Sequence, residues 1–162
     1  MLKYVYGQDD LVADFVMRMH GREQITIEGL KNYKTIGVCD ENNELIAGMI
    51  YHNFKPVAGT IELSFAAIPR RRWLTPEGMG IMGRYPFIDC GCQMVTTWTQ
   101  PQYENILRIM AVMNFTFITI PRMFGRDKDG IFCTLTYEDW ERNKFCRRYG
   151  HHIVEATKEK AA

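Results

Sequence analysis

The chain has 162 residues, 46% of them hydrophobic and 24% charged, the size and composition of one globular domain. These values exclude wholesale disorder and repeat architectures. Twenty Lys and Arg against nineteen Asp and Glu leave a net charge of +1, so the sequence as a whole has no electrostatic bias toward nucleic acid or an anionic membrane.

Leu2 to Tyr6 alternates as a strand does, and Asp9 or Asp10 can cap a helix carrying Leu11, Val12, Phe15, Val16 and Met19 on one side. Gly21 to Lys34 reads as a second short helix or a loop. A hairpin comes next, with Thr35–Cys39 and Leu45–Phe54 joined by the turn-forming Asp40-Glu41-Asn42-Asn43. Thr60–Ile68 is a third strand of this group. A helix is then announced by Thr75 as N-cap, Pro76 at its first position and Glu77 near the positive end of its dipole. Gly78, Gly80 and Gly83 inside that helix each cost about 1 kcal/mol relative to Ala, so close packing on a neighbour is expected there.

Gln93–Thr99 reads as strand, and Ile106, Ile109, Met110 and Met113 fall at helical spacing. Phe115–Ile120 is strand again, Gly125–Gly130 a turn, and Ile131–Thr136 closes a last hairpin. From Asn143 on, the chain is polar and fraying is expected, which divides it into a domain over 1–141 and a tail over 142–162. Antiparallel strands leading into a strand–helix–strand crossover predict an α+β fold: a mixed, mostly antiparallel central sheet with helices on both faces.

The five cysteines, Cys39, Cys90, Cys92, Cys133 and Cys146, are odd in number and lack the spacing of a zinc site. They read as small buried hydrophobes, and no metal is expected. No window approaches the ~18–20 apolar residues of a spanning helix. The first ten residues lack the apolar core of a secretory signal. A cytoplasmic location without a membrane partner is the expectation.

The junction Ile68–Glu77 is the most informative stretch. A helix N-terminus offers unpaired N–H groups and partial positive charge, and Arg70, Arg71 and Arg72 just before it add bidentate donors for phosphate. The same residues also read as a solvated basic turn.

The register Arg70-Arg71-Arg72-Trp73-Leu74-Thr75, followed by a helix ending Tyr85-Pro86-Phe87, resembles the GNAT acetyltransferase superfamily, nearest to the branch that acetylates protein N-terminal amines. Met113-Asn114-Phe115, Asp129-Gly130-Ile131-Phe132 and Tyr137-Glu138-Asp139-Trp140 fall in step with later segments of that family. The likeness spans roughly residues 2 to 141. It implies a GNAT fold and acetyl-CoA as cosubstrate, lying between the Thr60–Ile68 and Gln93–Thr99 strands. Phe65, Ala66 and Ala67 would pair with the pantetheine, Arg70, Arg71, Arg72, Trp73, Leu74 and Thr75 would hold the pyrophosphate, and Asn105 would add a cofactor contact.

The implied reaction is direct attack of a primary amine, on a protein or peptide, with no nucleic acid involved; a homodimer is compatible with it. Glu62 is the candidate base, with His52 as a second option for that role. Tyr103, Tyr85 and Cys133 are candidate proton donors. Departures from the family pattern are Trp73 and Thr75 at two normally small loop positions, Tyr103 in place of Asn, and Met110 where many members carry a tyrosine. They keep two other readings open: a GNAT-fold binding or structural protein without catalysis, and a small-molecule or polyamine acetyltransferase.

Overall fold

The computed structural model describes residues 1–20, 30 and 32–149. Its elements in order are β1 (Lys3–Val5), α1 (Asp9–His20), β2 (Lys34–Cys39), β3 (Leu45–Lys55), β4 (Thr60–Ala67), α2 (Pro76–Arg84), β5 (Met94–Thr99), α3 (Glu104–Val112), β6 (Thr116–Gly125), β7 (Lys128–Thr136) and α4 (Tyr137–Arg142). A π-helical turn, Tyr85–Asp89, extends α2. The strands form one seven-stranded sheet in the order β1-β2-β3-β4-β5-β7-β6. β4 and β5 run parallel, and the other neighbouring pairs are antiparallel. The mixed, mostly antiparallel sheet expected from the element order is the one observed.

Local chemistry accounts for the main turns. Asp40 Oδ1 accepts the amides of Asn42 at 2.9 Å and Glu44 at 3.0 Å, and Asn43 takes φ 63°, which closes the β2–β3 hairpin. The last hairpin is longer than its pattern suggests. Past Ile120 the register shifts, Arg122 adopts φ 62°, and its amide donates to Asp129 Oδ1 at 3.0 Å, so both strands continue to Gly125 and Lys128.

α1 packs on one face over β2, β3 and β4 through Val12, Ala13, Val16 and Met17. Leu11 and Met19, expected on that stripe, are exposed at 59% and 39%; the buried stripe runs through Ala13 and Met17 instead, one step round the helix. The helix comes so close at Gly48 that an added Cβ would lie 2.8 Å from Val12 and from Val16.

The larger core fills the other face, joining Met79, Ile81 and Met82 of α2 to Met110, Leu135 and Trp140. Gly78 and Gly83 have the packing reason that their cost demands: a Cβ at Gly78 would stand 2.8 Å from the Tyr4 hydroxyl, and one at Gly83 would stand 2.1 Å from Trp140 Nε1.

The fraying expected from Asn143 does not set in at the end of α4. Residues 144–149 are helical, Asn143 Oδ1 accepts the Phe145 amide at 3.0 Å, and Cys146 is fully buried in the larger core. One buried cysteine in a polar stretch is too thin a periodic signal to reveal this. Cys39, Cys92 and Cys133 are also buried, Cys90 partly so, and all five carry free thiols. Of the segment 21–34, read from sequence as helix or loop, residues 21–29 and 31 lie outside the described residues, as does 150–162, and Lys34 already belongs to β2. No described helix is long and apolar enough to cross a membrane.

Candidate active site

β4 and β5 diverge part-way along their length. They pair at Thr60–Met94, Ile61–Val95 and Glu62–Thr96, and there the ladder stops. β4 stays on β3 as far as Ala67–Ala47, and β5 stays on β7 as far as Thr99–Ile131, so the sheet opens into a V. The gap holds a cavity of about 560 Å³.

The parity of the β3–β4 ladder fixes what the β4 backbone offers to that gap. The Ile68 amide donates to Ile46 O at 2.8 Å, so in this register Ala66 and Ser64 also direct their backbone groups at β3. Phe65 and Ala67 therefore turn their N–H and C=O groups toward the V. One of these groups is already engaged: His20, the last residue of α1, donates from Nε2 to Phe65 O at 2.7 Å.

The titratable groups gather where the ladder ends. His52 stands opposite Glu62 across the β3–β4 pair, and Ser64 comes next on the same face as Glu62. His52 Nε2 lies 3.0 Å from Ser64 Oγ, and Nδ1 lies 3.8 Å from Glu62 Oε2. Asn53 donates to the other carboxylate oxygen, Oε1, at 2.6 Å. The proton of a neutral imidazole is favoured on the nitrogen facing the carboxylate, which leaves Nε2 to accept from the serine hydroxyl.

Burial lowers the His52 pKa below the ordinary 6.5, against the opposing pull of Glu62. Burial likewise lowers that of His20, opposed by its bond to the Phe65 carbonyl. Both imidazoles are therefore neutral at pH 7. A depressed histidine pKa means that the unfolded chain binds these protons first. Stability is then complete above about pH 6.5 and falls as pH drops through the folded-state values. Urea titrations from neutral pH down to about pH 5 should show a declining midpoint, and His52→Gln should flatten the decline. An unchanged slope in that variant would remove His52 from the account.

Of the proton-donor candidates, Tyr103 lines the cavity and is 47% exposed. Tyr85 packs its ring 5.0 Å from Tyr51, and burial raises its pKa; Cys133 is fully buried, with its thiol pushed up to about 12. Neither is among the lining residues. Asn105 is exposed in the first turn of α3, while Met110 is buried and does line the cavity. Phe65, Ala66 and Ala67 line it as well.

The loop before α2 is arranged less openly. Arg70, with φ 63°, and Arg72 are exposed. Arg71 bonds Asp40 and lies 3.4 Å from Glu44, which ties it to the β2–β3 turn. The Trp73 indole is 7% exposed and packs on Phe65, ring centroids 6.0 Å apart, and Leu74 is half-buried. Thr75 caps α2 as expected, accepting the Gly78 amide at 3.1 Å. Pro76 has no N–H to give, so that cap uses one of the few amides at this helix end.

His20 was beyond sequence reasoning, because nothing local announces that the end of α1 reaches β4. Ser64 was within reach: its alternation with Glu62 places both on one face.

No protein-family model matches this sequence, and no curated protein does. Solved structures do match. Spermidine/spermine N-acetyltransferase SpeG from Vibrio cholerae superposes with a TM-score of 0.72 at 9% identity, over 89% of this chain and 99% of that one. A candidate acetyltransferase from Acinetobacter baylyi gives 0.65 at 17% identity, over 85% and 94% of the two chains. Ribosomal-protein-S5-alanine acetyltransferase from Vibrio fischeri gives 0.58 at 14% identity, over 67% and 63%. The chain has the GNAT acetyltransferase fold, opened between β4 and β5.

Proposed function

We propose that this protein transfers an acetyl group from acetyl-CoA to a primary amine. The observation that carries the reading is the early end of the β4–β5 ladder, which leaves backbone groups of Phe65 and Ala67 facing a cavity walled by Glu62 and His52. An extended amide chain such as pantetheine can pair with those backbone groups as an added strand. Arg70 and Arg72, exposed and without an ion pair among the described residues, are the cations of the adjoining loop for its phosphates, with Trp73, Leu74 and Thr75 shaping that loop; Asn105 is a further contact on α3.

The reaction needs a neutral amine, whereas an α-amine has a pKa of about 8 and a lysine amine about 10.4. Glu62, with His52 beside it, takes that proton directly or through water, and Tyr103 on the cavity wall protonates the leaving thiolate. A protein or peptide amine is the preferred acceptor. Glu62 is the one carboxylate among the described lining residues, where a polyamine calls for several. The structural neighbour that acts on spermidine and spermine keeps the polyamine alternative in the test set.

The loop favours a second reading, a GNAT-fold protein that binds a partner without catalysis. Its observation is specific: Arg71 is committed to carboxylates, Trp73 is buried and the Gly78 amide is taken by its own cap. Thermal denaturation with acetyl-CoA separates the two. At 100 times its dissociation constant the ligand adds ~2.7 kcal/mol. For a chain of this length that raises the midpoint by roughly 5–10 °C. No shift at millimolar acetyl-CoA would select the second reading.

A further inference from the structure

Three side chains from adjacent strands stand in an order that amine acetylation by direct attack does not require. Ser64 Oγ is 3.0 Å from His52 Nε2, the Nδ1 of the same ring is 3.8 Å from Glu62 Oε2, and Asn53 holds the other oxygen of that carboxylate at 2.6 Å. All three line the cavity. A serine hydroxyl is a weak nucleophile unless a base adjoins it, and the base works best when a third group fixes its tautomer. The first condition holds in the distance from Ser64 Oγ to Nε2, and for the second the Glu62 carboxylate, at 3.8 Å, favours the proton on Nδ1 by charge from just beyond hydrogen-bond reach. The residue after Ser64 supplies the remaining part, since the Phe65 amide points into the gap beyond the end of the β4–β5 ladder. There it can donate to an oxygen that develops charge.

We propose that Ser64 is itself an acyl acceptor, so that the cavity forms an acetyl-serine from thioesters or activated esters in addition to acetylating amines. Ser64 Oγ attacks the acyl carbonyl carbon while its proton passes to His52 Nε2. The carbon–sulfur or carbon–oxygen bond of the donor then breaks, and the leaving thiolate or alkoxide takes that proton from His52. The products are O-acetyl-Ser64 and a free thiol or alcohol. Attack by water on the new ester, with its proton again passing through His52, returns serine and acetate. The proposal depends on the acetyl-CoA reading only for the identity of a natural donor, so its first test uses a donor without CoA.

The full chain is mixed with p-nitrophenyl acetate, nitrophenolate release is followed, and the acetyl group is located by peptide mass spectrometry. A burst matching the chain concentration is expected, with the acetyl group on Ser64. Ser64→Ala should abolish the burst, and His52→Gln should slow acylation by about 10²-fold or more. Ser64→Cys retains a nucleophile of similar size and should carry the acetyl group as a thioester, which decides the matter if the alanine variant does not fold. An adduct on another residue, an equal burst from Ser64→Ala, or an undiminished rate in His52→Gln overturns the proposal. Acetylation of Ser64 by p-nitrophenyl acetate but not by acetyl-CoA keeps the serine and discards the cofactor reading.

Discussion

Glu62→Gln is expected to slow amine acetylation by at least about 10²-fold while leaving acetyl-CoA affinity unchanged, the lower end of what a positioned base contributes. The substitution keeps the shape of the side chain and removes its charge. The Asn53 bond to Oε1 can survive, because an amide oxygen also accepts. The loss falls instead on Oε2, which faces His52 Nδ1 at 3.8 Å, and on the proton that the incoming amine must shed. The segment proposed to pair with the cofactor, Phe65 to Ala67, lies further along β4, so binding should not register the change. Steady-state kinetics with a peptide amine, beside a calorimetric titration of acetyl-CoA, checks both halves. Unchanged turnover would remove Glu62 as base, and a parallel loss of affinity would make it a structural residue.

The second large effect concerns the fold. Gly83→Ala should destabilise the protein by about 3 kcal/mol, the upper part of the usual range for overpacking. That corresponds to a midpoint lowered by roughly 6–12 °C for a chain of this size. The new methyl would stand 2.1 Å from Trp140 Nε1 and 2.5 Å from Cε2. Trp140 is fully buried, with the Phe87 and Tyr137 rings 5.3 and 6.1 Å away, so the indole has little room to retreat. Alanine gains about 1 kcal/mol of helix propensity over glycine, which opposes the clash without matching it. A thermal scan measures the balance; an unchanged or raised midpoint would show that α4 moves freely on α2.

These two residues also illustrate what a reader of the sequence can and cannot see. The helix glycines were visible as an anomaly, because their cost is local, but the partner that justifies Gly83 is Trp140, far along the chain. The β2–β3 hairpin and the Thr75 cap were legible because each is closed by side chains within a few residues of the turn. The strand character of β4 was equally plain, and with it the shared face of Glu62 and Ser64. Their meeting with His52 was not, since Asn53 at φ 50° and a register shift between His52 and Lys55 defeat simple counting round the hairpin. The three arginines read as one basic cluster. In the fold they part company, because Arg71 meets Asp40 and Glu44 from a turn distant in sequence. Which way Trp73 points was undecidable without Phe65 in place. The opening between β4 and β5 came into view only through family resemblance, because no single residue encodes the end of a ladder.

The bond from His20 to Phe65 O has a consequence for any guest in the gap. A carbonyl oxygen has two lone pairs, and one of these is already claimed by the imidazole. A chain lying along β4 must share that oxygen or dislodge the ring. The end of a helix seated over β2, β3 and β4 would then sense, through a single atom, whether the groove is empty or filled.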